Sequence, residues 1–286
     1  MNYRHAFHAG NFADVLKHVV LSRLIEYLKR KDKAFRVIDT HAGHGLYDLR
    51  SDEASRTGEW RDGIGRLFGK PQAPDIAALL DPYLGAVRAA NPDGDLSRYP
   101  GSPAVARHLI RRQDRLSLVE LHPEEAERLS FLFADDVQVR VIELDGWLAL
   151  GAHLPPKEKR GLVLVDPPFE VAGEFDRILA GLRKAHRRWP GGTYAIWYPI
   201  KDRIAVSRFR EELAKGEIPN VMDLWQMIRP QTEEPRLDGS GVVLVNPPFT
   251  LEAEMKLLLP ALTRILERDR GGNWGVDWLA PEQTAA

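Results

Sequence analysis

Gly161-Leu-Val-Leu-Val-Asp166-Pro167-Pro168-Phe169 is the stretch on which the fold turns. Residues 162–165 are an unbroken apolar run, which suits a strand covered on both faces in a parallel sheet better than one with a wet face. The run stops at an acid followed by two prolines. They remove two backbone donors, fix φ and push Asp166 into an extended conformation, so its carboxylate and the neighbouring Pro167 carbonyl are held in a set direction. The product is a preorganised row of hydrogen-bond acceptors at a strand tip. Phe169 beside it offers a flat face on which a planar group such as a nucleobase can stack, a contact worth roughly 1–3 kcal/mol.

Outward from this strand, the chain alternates between strand and helix patterns. Residues 35–39, 117–120, 138–142 and 193–199 read as further strands, and 221–228 and 241–245 as a closing pair. Between and around them, residues 14–31, 103–113, 175–189, 201–215 and 251–268 have helical periodicity. Seven strands interleaved with helices predict an α/β fold: a doubly wound, mostly parallel sheet with helices on both faces and ligands at the carboxyl ends of the strands.

Asp39-Thr40-His41-Ala42-Gly43-His44-Gly45 follows the first strand. Its two glycines let the backbone turn tightly and approach a ligand. A dinucleotide fingerprint would need a third Gly or Ala at position 48, where this chain has Asp48, and an acid about 20 residues on. The next strand lies about seventy residues away, so a nicotinamide dehydrogenase is disfavoured. Glu120 ends the second strand where such folds grip a ribose diol, and Pro123 starts a helix after it. Asp145-Gly146 follows the third strand.

Residues 46–99 read as an inserted helical subdomain, with helices near 57–68 and 75–90, the second interrupted by Pro82, and a turn at Asn91-Pro92-Asp93-Gly94. Its expected role is a wall that selects large substrates. The chain is otherwise expected to be one domain, 1–286, with residues 1–13 as a mobile tail. The helix at 175–189 carries Arg183, Lys184, Arg187 and Arg188 near one side, either as a solvated face or as a phosphate contact. Asn246-Pro247-Pro248-Phe249 is a second acceptor-like motif. If the last strand runs antiparallel, its carboxyl end falls on the far edge of the sheet, and the segment 238–241 faces the ligand edge instead. Asp166 is therefore preferred over Asn246.

At 286 residues and net charge −1, the chain has no global positive field to hold a nucleic acid, so any such binding needs local patches. It has no cysteine, which excludes disulfide scaffolds, Cys-ligated zinc and thiol catalysis. No stretch reaches the roughly 18 apolar residues of a membrane span, and the N-terminus lacks a signal-peptide pattern, so a cytoplasmic protein is expected. His5 and His8 have no third ligand in view, and no metal is expected.

Asp166-Pro-Pro-Phe169 resembles the acceptor motif of methyltransferases that use S-adenosylmethionine to modify exocyclic amino groups. An acid-x-x-x-Gly-x-Gly loop, as at 39–45, matches the same class. Together with residues 3–18 (Tyr-Arg-His-Ala-Phe-His-Ala-Gly-Asn-Phe-Ala-Asp-Val-Leu-Lys-His), Tyr99-Pro-Gly-Ser-Pro103 and Glu120-Leu-His-Pro123, these motifs resemble the bacterial 23S ribosomal RNA adenine-N6 methyltransferase family over nearly the whole chain. The resemblance implies a Rossmann-like class I methyltransferase that binds S-adenosylmethionine, releases S-adenosylhomocysteine, and methylates N6 of an adenosine in 23S RNA, naked or early in assembly, as a monomer. It implies that His18, His41, Ser102, Glu120, Asp145, Gly146 and Asp166 surround the cofactor, together with Gly43 of the loop. Tyr3, Lys17 and Phe169 are the substrate-side candidates, and Asp166, Pro167 and Phe169 the catalytic ones. Phe169 stands where Tyr is common in the family. The alternatives are a DNA adenine-N6 methyltransferase and a catalytically idle RNA-binding protein of the same fold.

Overall fold

In the computed structural model, which describes residues 5–231 and 236–281, ten strands alternate with ten α-helices. The strands are β1 (Arg36–Asp39), β2 (Leu46–Asp48), β3 (Arg98–Pro100), β4 (Arg115–Glu120), β5 (Val139–Glu143), β6 (Gly161–Val165), β7 (Thr193–Ile200), β8 (Val221–Met227), β9 (Gly239–Val245) and β10 (Asn273–Ala280). The helices are α1 (Phe12–Lys29), α2 (Asp52–Thr57), α3 (Ile64–Leu67), α4 (Pro74–Ala90), α5 (Ser102–Leu109), α6 (Pro123–Leu132), α7 (Gly146–Ala152), α8 (Glu174–Arg188), α9 (Arg203–Ala214) and α10 (Leu251–Leu266).

One sheet has the order β10-β8-β9-β7-β6-β1-β4-β5. From β5 to β7 neighbouring strands are parallel; β9 runs antiparallel to both β7 and β8, and β10 antiparallel to β8. The chain leaves β1 towards β4 on one side and returns to β6 on the other. That reversal opens a crevice at the carboxyl ends of β1, β4 and β6, where doubly wound sheets bind ligands. This is the expected Rossmann-like α/β arrangement, with eight strands in the sheet instead of seven. The added strand, β10, covers the edge that β8 would otherwise leave unpaired.

Burial follows the pattern read in the opening stretch. Leu162 and Leu164 of β6 join the core that α1, α4, α5 and α10 build on one face, while Val163 and Val165 join that of α7, α8 and α9 on the other. All five residues of β6 are buried. Helix α1 is enclosed along most of its length and starts at Asn11, whose Oδ1 accepts from Ala13 N and Asp14 N, both at 3.0 Å. This cap fixes where the helix, and hence Lys17 and His18, enters the crevice.

Two helix expectations change. The single helix expected near 57–68 is three short pieces: α2, a 3-10 turn at Glu59–Asp62 and α3. Gly58, at φ 61°, and Gly63 break it, since Gly58 adopts the left-handed conformation that ends a helix. Pro82, by contrast, does not interrupt α4, whose buried Ile76, Leu80, Tyr83, Ala86 and Val87 lie on both sides of it. Packing on α1 and α5 holds the helix together across the missing hydrogen bond. Strands β2 and β3 pair antiparallel at the two ends of this segment.

Candidate active site

The crevice is a cavity of about 390 Å³, within the size range of small-molecule sites. Strand β6 delivers Asp166 to its wall, and Pro167 and Pro168 line it alongside. Asp166 Oδ2 contacts Lys17 Nζ, which also lies 2.8 Å from Asp14 Oδ1. Burial works against the Lys17 charge, but the two carboxylates outweigh it and hold the ammonium above the ordinary lysine value. Asp14 is itself buried, which opposes its ionisation, yet His5 and Lys17 keep its carboxyl well below the usual range.

Opposite this corner, the glycine loop and the end of β4 meet. Gly43, at φ 61°, donates its N–H to Glu120 Oε2 (2.8 Å), and His122 N donates to Glu120 Oε1 (2.8 Å). Both carboxylate oxygens are thus aimed by backbone amides, with lone pairs left for a diol. A Cβ on Gly43 would come within 2.3 Å of the Tyr47 hydroxyl, so only glycine fits this turn without displacing that ring. Asp145 caps α7 through Oδ1 to Trp147 N (2.8 Å). Gly146 beneath it packs directly on Thr40 O and the His41 ring.

His18 and His41 complete the wall. His18 is 1% exposed and shares a 2.7 Å hydrogen bond with the Tyr99 hydroxyl through Nδ1. Its Nε2 is buried without a partner in a side chain that lines the cavity. Burial pushes the ring down to about 3, so it is neutral and keeps one nitrogen available for a ligand. His41 Nδ1 lies 2.9 Å from Thr40 Oγ1, and burial lowers this ring to about 4. Ser102, at the start of α5, also lines the cavity. Burial raises the Asp39 carboxyl to about 6, with the Ser102 hydroxyl opposing that rise.

The fold therefore gathers Lys17, His18, His41, Gly43, Ser102, Glu120, Asp145, Gly146, Asp166 and Pro167 around one cavity. Phe169 is not among them. It has φ 52° and its ring packs edge-on against Phe175 (5.1 Å) and Trp197 (5.8 Å). Tyr3 lies outside the described residues. Asn246 sits at the other edge of the sheet, donating to Pro190 O (2.7 Å) and Gly192 O (2.8 Å) beside the start of β7. Asp238 N donates to Ile200 O (3.2 Å) at the carboxyl end of β7, but the residue is fully buried and does not line the cavity.

Among the cavity residues that no sequence motif marks are Trp147, Arg177 and Tyr47. Trp147 lies under the Arg177 guanidinium, 5.4 Å from its ring centroid, and Tyr47 faces His44 at 4.1 Å between centroids. Trp147 follows Asp145-Gly146 directly, so its place two residues past a strand-end acid was the available signal. Arg177 is visible only once α8 is docked.

The donor set fits S-adenosylmethionine. Glu120 is arranged for a ribose diol, Gly43 allows close backbone approach, the His18 Nε2 is an orphaned buried polar atom, and Asp145 keeps one oxygen free of its capping bond. Among the described residues, no group of three or more His, Cys, Asp and Glu is placed to hold a metal ion.

A family model described as Ribosomal RNA large subunit methyltransferase D, RlmJ, matches residues 32–280. The proteins named Ribosomal RNA large subunit methyltransferase J from Haemophilus influenzae (strain Rd) and Escherichia coli (strain K12) are each 42% identical to this chain, over 283 and 282 residues, covering 99% of it and 100% of themselves. The crystal structure of a Legionella pneumophila protein, 34% identical, superposes with a TM-score of 0.85 over 94% of this chain and 98% of that one.

Proposed function

The chain belongs to the family of ribosomal RNA large subunit methyltransferases described as D and J, and from that premise we propose that it transfers a methyl group from S-adenosylmethionine to N6 of an adenosine in 23S ribosomal RNA. The observation that carries the reading is the shared cavity. The proline-locked Asp166 corner and the Gly43–Glu120 turn open on the same space.

When bound, S-adenosylmethionine supplies an electrophilic methyl group on a sulfonium whose departure as a neutral thioether needs no acid. Glu120 grips the ribose hydroxyls, and His18 Nε2 and the free Asp145 oxygen take further polar groups of the same ligand. Asp166 and the Pro167 carbonyl accept hydrogen bonds from the two N–H groups of the adenine amine, and one of those protons leaves N6 as the N–CH3 bond forms and the S–CH3 bond breaks. An aromatic amine is a poor nucleophile because its lone pair is delocalised into the ring; holding both hydrogens localises the pair and aims it. Positioning of this kind carries most of the catalysis. Lys17, kept cationic between two carboxylates, holds Asp166 as an acceptor.

Extruding the target base costs a few kcal/mol, less where it is already unpaired. A stack on Phe169 would require that ring to leave Phe175 and Trp197. The helical segment 46–99 forms a wall on the substrate side; residues 9–13, expected as part of a mobile tail, are buried where α1 begins. The enzyme acts as a monomer in the cytoplasm on RNA that is naked or early in assembly, and it needs no metal. Among the described residues, no helix is long and apolar enough to cross a membrane.

The test gives the protein labelled S-adenosylmethionine with deproteinised 23S RNA, 16S RNA and DNA, then digests each product. The expected result is N6-methyladenosine in 23S RNA alone. Label confined to DNA would overturn the assignment.

A further inference from the structure

Helix α8 begins at the active-site mouth and then runs away from it. Its carboxylates, Glu174 and Asp176, lie in its first turn, while the stretch from Arg177 to Arg188 contains Arg177, Arg183, Lys184, His186, Arg187 and Arg188 and no acid. Arg183 is spoken for, since it pairs with Glu217 and lies 3.9 Å from Glu212 on the α9 side. The others face differently. Arg177, Gly181, Lys184 and Arg188 are spaced i, i+4, i+7 and i+11 and therefore share one face. That face looks onto α7.

The contacts place each of these groups in turn. The Arg177 guanidinium lies over the cavity-lining Trp147 at 5.4 Å. A Cβ on Gly181 would meet Trp147, and one on Gly151 would lie 2.8 Å from the Lys184 stem. Arg188 Nε donates to Leu154 O (3.1 Å) just beyond α7. Helix α7, Gly-Trp-Leu-Ala-Leu-Gly-Ala, carries no charge, and its Leu148 is 55% exposed. Among the described residues, Lys184, Arg187 and Arg188 are exposed and make no ion pair with a carboxylate, and Arg177 pairs with Glu174 at 3.4 Å.

We infer that this face is the track on which the substrate RNA lays its sugar–phosphate backbone on the way to the cavity. The inference rests on the RNA reading given above and names the surface behind it. Arg177 to Arg188 spans about 16 Å at a rise of 1.5 Å per residue, enough for several successive phosphates. Cations in the last turn of a helix also suit its dipole. That explanation accounts for Arg187 and Arg188 but not for Lys184 and Arg177, which continue the row to the rim of the active site. With a net charge of −1, the molecule needs such a local patch to hold a polyanion. The uncharged α7 beside it lets bases and sugars lie against Leu148 and Trp147 without desolvating a carboxylate.

The test compares the wild-type protein with Lys184→Gln, with Lys184→Gln/Arg188→Gln, and with Lys33→Gln/Arg112→Gln. The last pair removes the same charge from exposed positions before β1 and β4, beyond the carboxyl ends of α1 and α5, the helices that cover the other face of the sheet. Binding to deproteinised 23S RNA is measured against salt concentration. Each lost phosphate contact lowers the salt slope by roughly 0.7, so the single variant should fall by about 0.7 and the α8 double by about 1.4. The double should also bind roughly tenfold more weakly near 0.1 M salt, with the KM for RNA raised and kcat and S-adenosylmethionine affinity unchanged. Slopes equal to wild type, or an equal drop in the Lys33/Arg112 control, would overturn the track. Because binding is read separately from methyl transfer, a wild-type protein that binds RNA with the expected slope but transfers no methyl would sink the catalytic reading and leave the track standing.

Discussion

Asp166 and Asn246 each precede Pro-Pro-Phe, and only their places in the sheet tell them apart. Asp166 ends a strand that points into the crevice, with its carboxylate against Lys17; Asn246 ends one that points away and spends its amide on two backbone carbonyls. Asp166→Ala is expected to lower methyl transfer at least about a hundredfold with folding intact, since it removes the group that orients the amine. Asn246→Ala should leave transfer in place. It should instead cost roughly 1–3 kcal/mol of stability, because it removes two hydrogen bonds, the one to Gly192 O partly buried, and puts alanine at φ 52°. The reverse pattern, read by transfer assay and urea unfolding, would move the chemistry to the other motif. His18 gives a pH prediction. Burial lowers its folded value to about 3 from 6.5, so its stabilisation is fully present above 6.5 and is lost as pH falls towards 3. Within that window, this one group steepens the loss by about 1.4 kcal/mol per pH unit. Urea unfolding of His18→Gln at pH 7 and pH 5 should show a smaller drop than wild type; equal drops would mean that the ring is protonated in the folded state. At this scale the sequence was legible where a residue's role follows from its immediate neighbours, as for Glu120, Asp145 and Asp166 at strand ends. The Lys17–Asp166 pair was not, because 149 positions separate its members and neither announces the other. Nor was the orientation of Phe169, which Phe175 and Trp197 decide.

Elements were legible in proportion to how little they depend on distant packing. Strand β6 declared itself through four apolar residues and a proline stop. Helix α4 did not, because Pro82 argues locally for a break that packing on α1 and α5 overrides. The opposite happened near residues 57–68, where helical periodicity was overruled by glycines at 58 and 63. Strand β10 is not evident locally although Trp274, Val276 and Trp278 alternate at the period of a strand, because Gly275 and Asp277 between them are poor strand formers. Helix α7 offers a test of how tightly an element is seated. Its first residue, Gly146, leaves no room: a Cβ there would lie 2.2 Å from Thr40 O and 2.9 Å from His41 Cε1. Backbone cannot yield as a flexible side chain can, so Gly146→Ala must shift either the start of α7 or the His41 loop. Overpacking of this kind costs roughly 1–3 kcal/mol. Because Asp145 and His41 both line the cavity, S-adenosylmethionine affinity measured by titration calorimetry should fall at least about tenfold. Unchanged affinity would show that the cofactor does not lean on this corner.

For the molecule as a whole, the doubly wound sheet followed from the alternation of patterns, but the means by which the far half of the sheet is held did not. Beneath α9, Asp223 of β8 is fully buried, with Tyr198 Oη 3.0 Å from both its oxygens and Arg210 Nε 3.1 Å from Oδ2. Arg210 continues to Asp277 of β10 at 2.5 Å, where Trp225 Nε1 also donates at 2.8 Å. One arginine thus ties α9, β8 and β10 together. These residues are scattered from 198 to 277, and no local pattern links them. Burial first, and the nearby Asp277 charge, raise the Asp223 carboxyl to about 7 against the opposition of Arg210 and Tyr198. Removing Arg210 would leave a buried carboxylate without its counter-charge, which typically costs about 3–5 kcal/mol. Arg210→Ala should therefore lower the unfolding midpoint by on the order of 10 °C. None of these groups lines the cavity, so at 25 °C the variant should bind S-adenosylmethionine as wild type does. Asp223→Asn made in the Arg210→Ala background should recover part of the loss, because it removes the unpaired charge while keeping a partner for Tyr198. Calorimetry on the two variants and the parent decides the matter: no shift with Arg210→Ala, or no recovery in the double variant, would mean that β10 is held by its ladder hydrogen bonds alone.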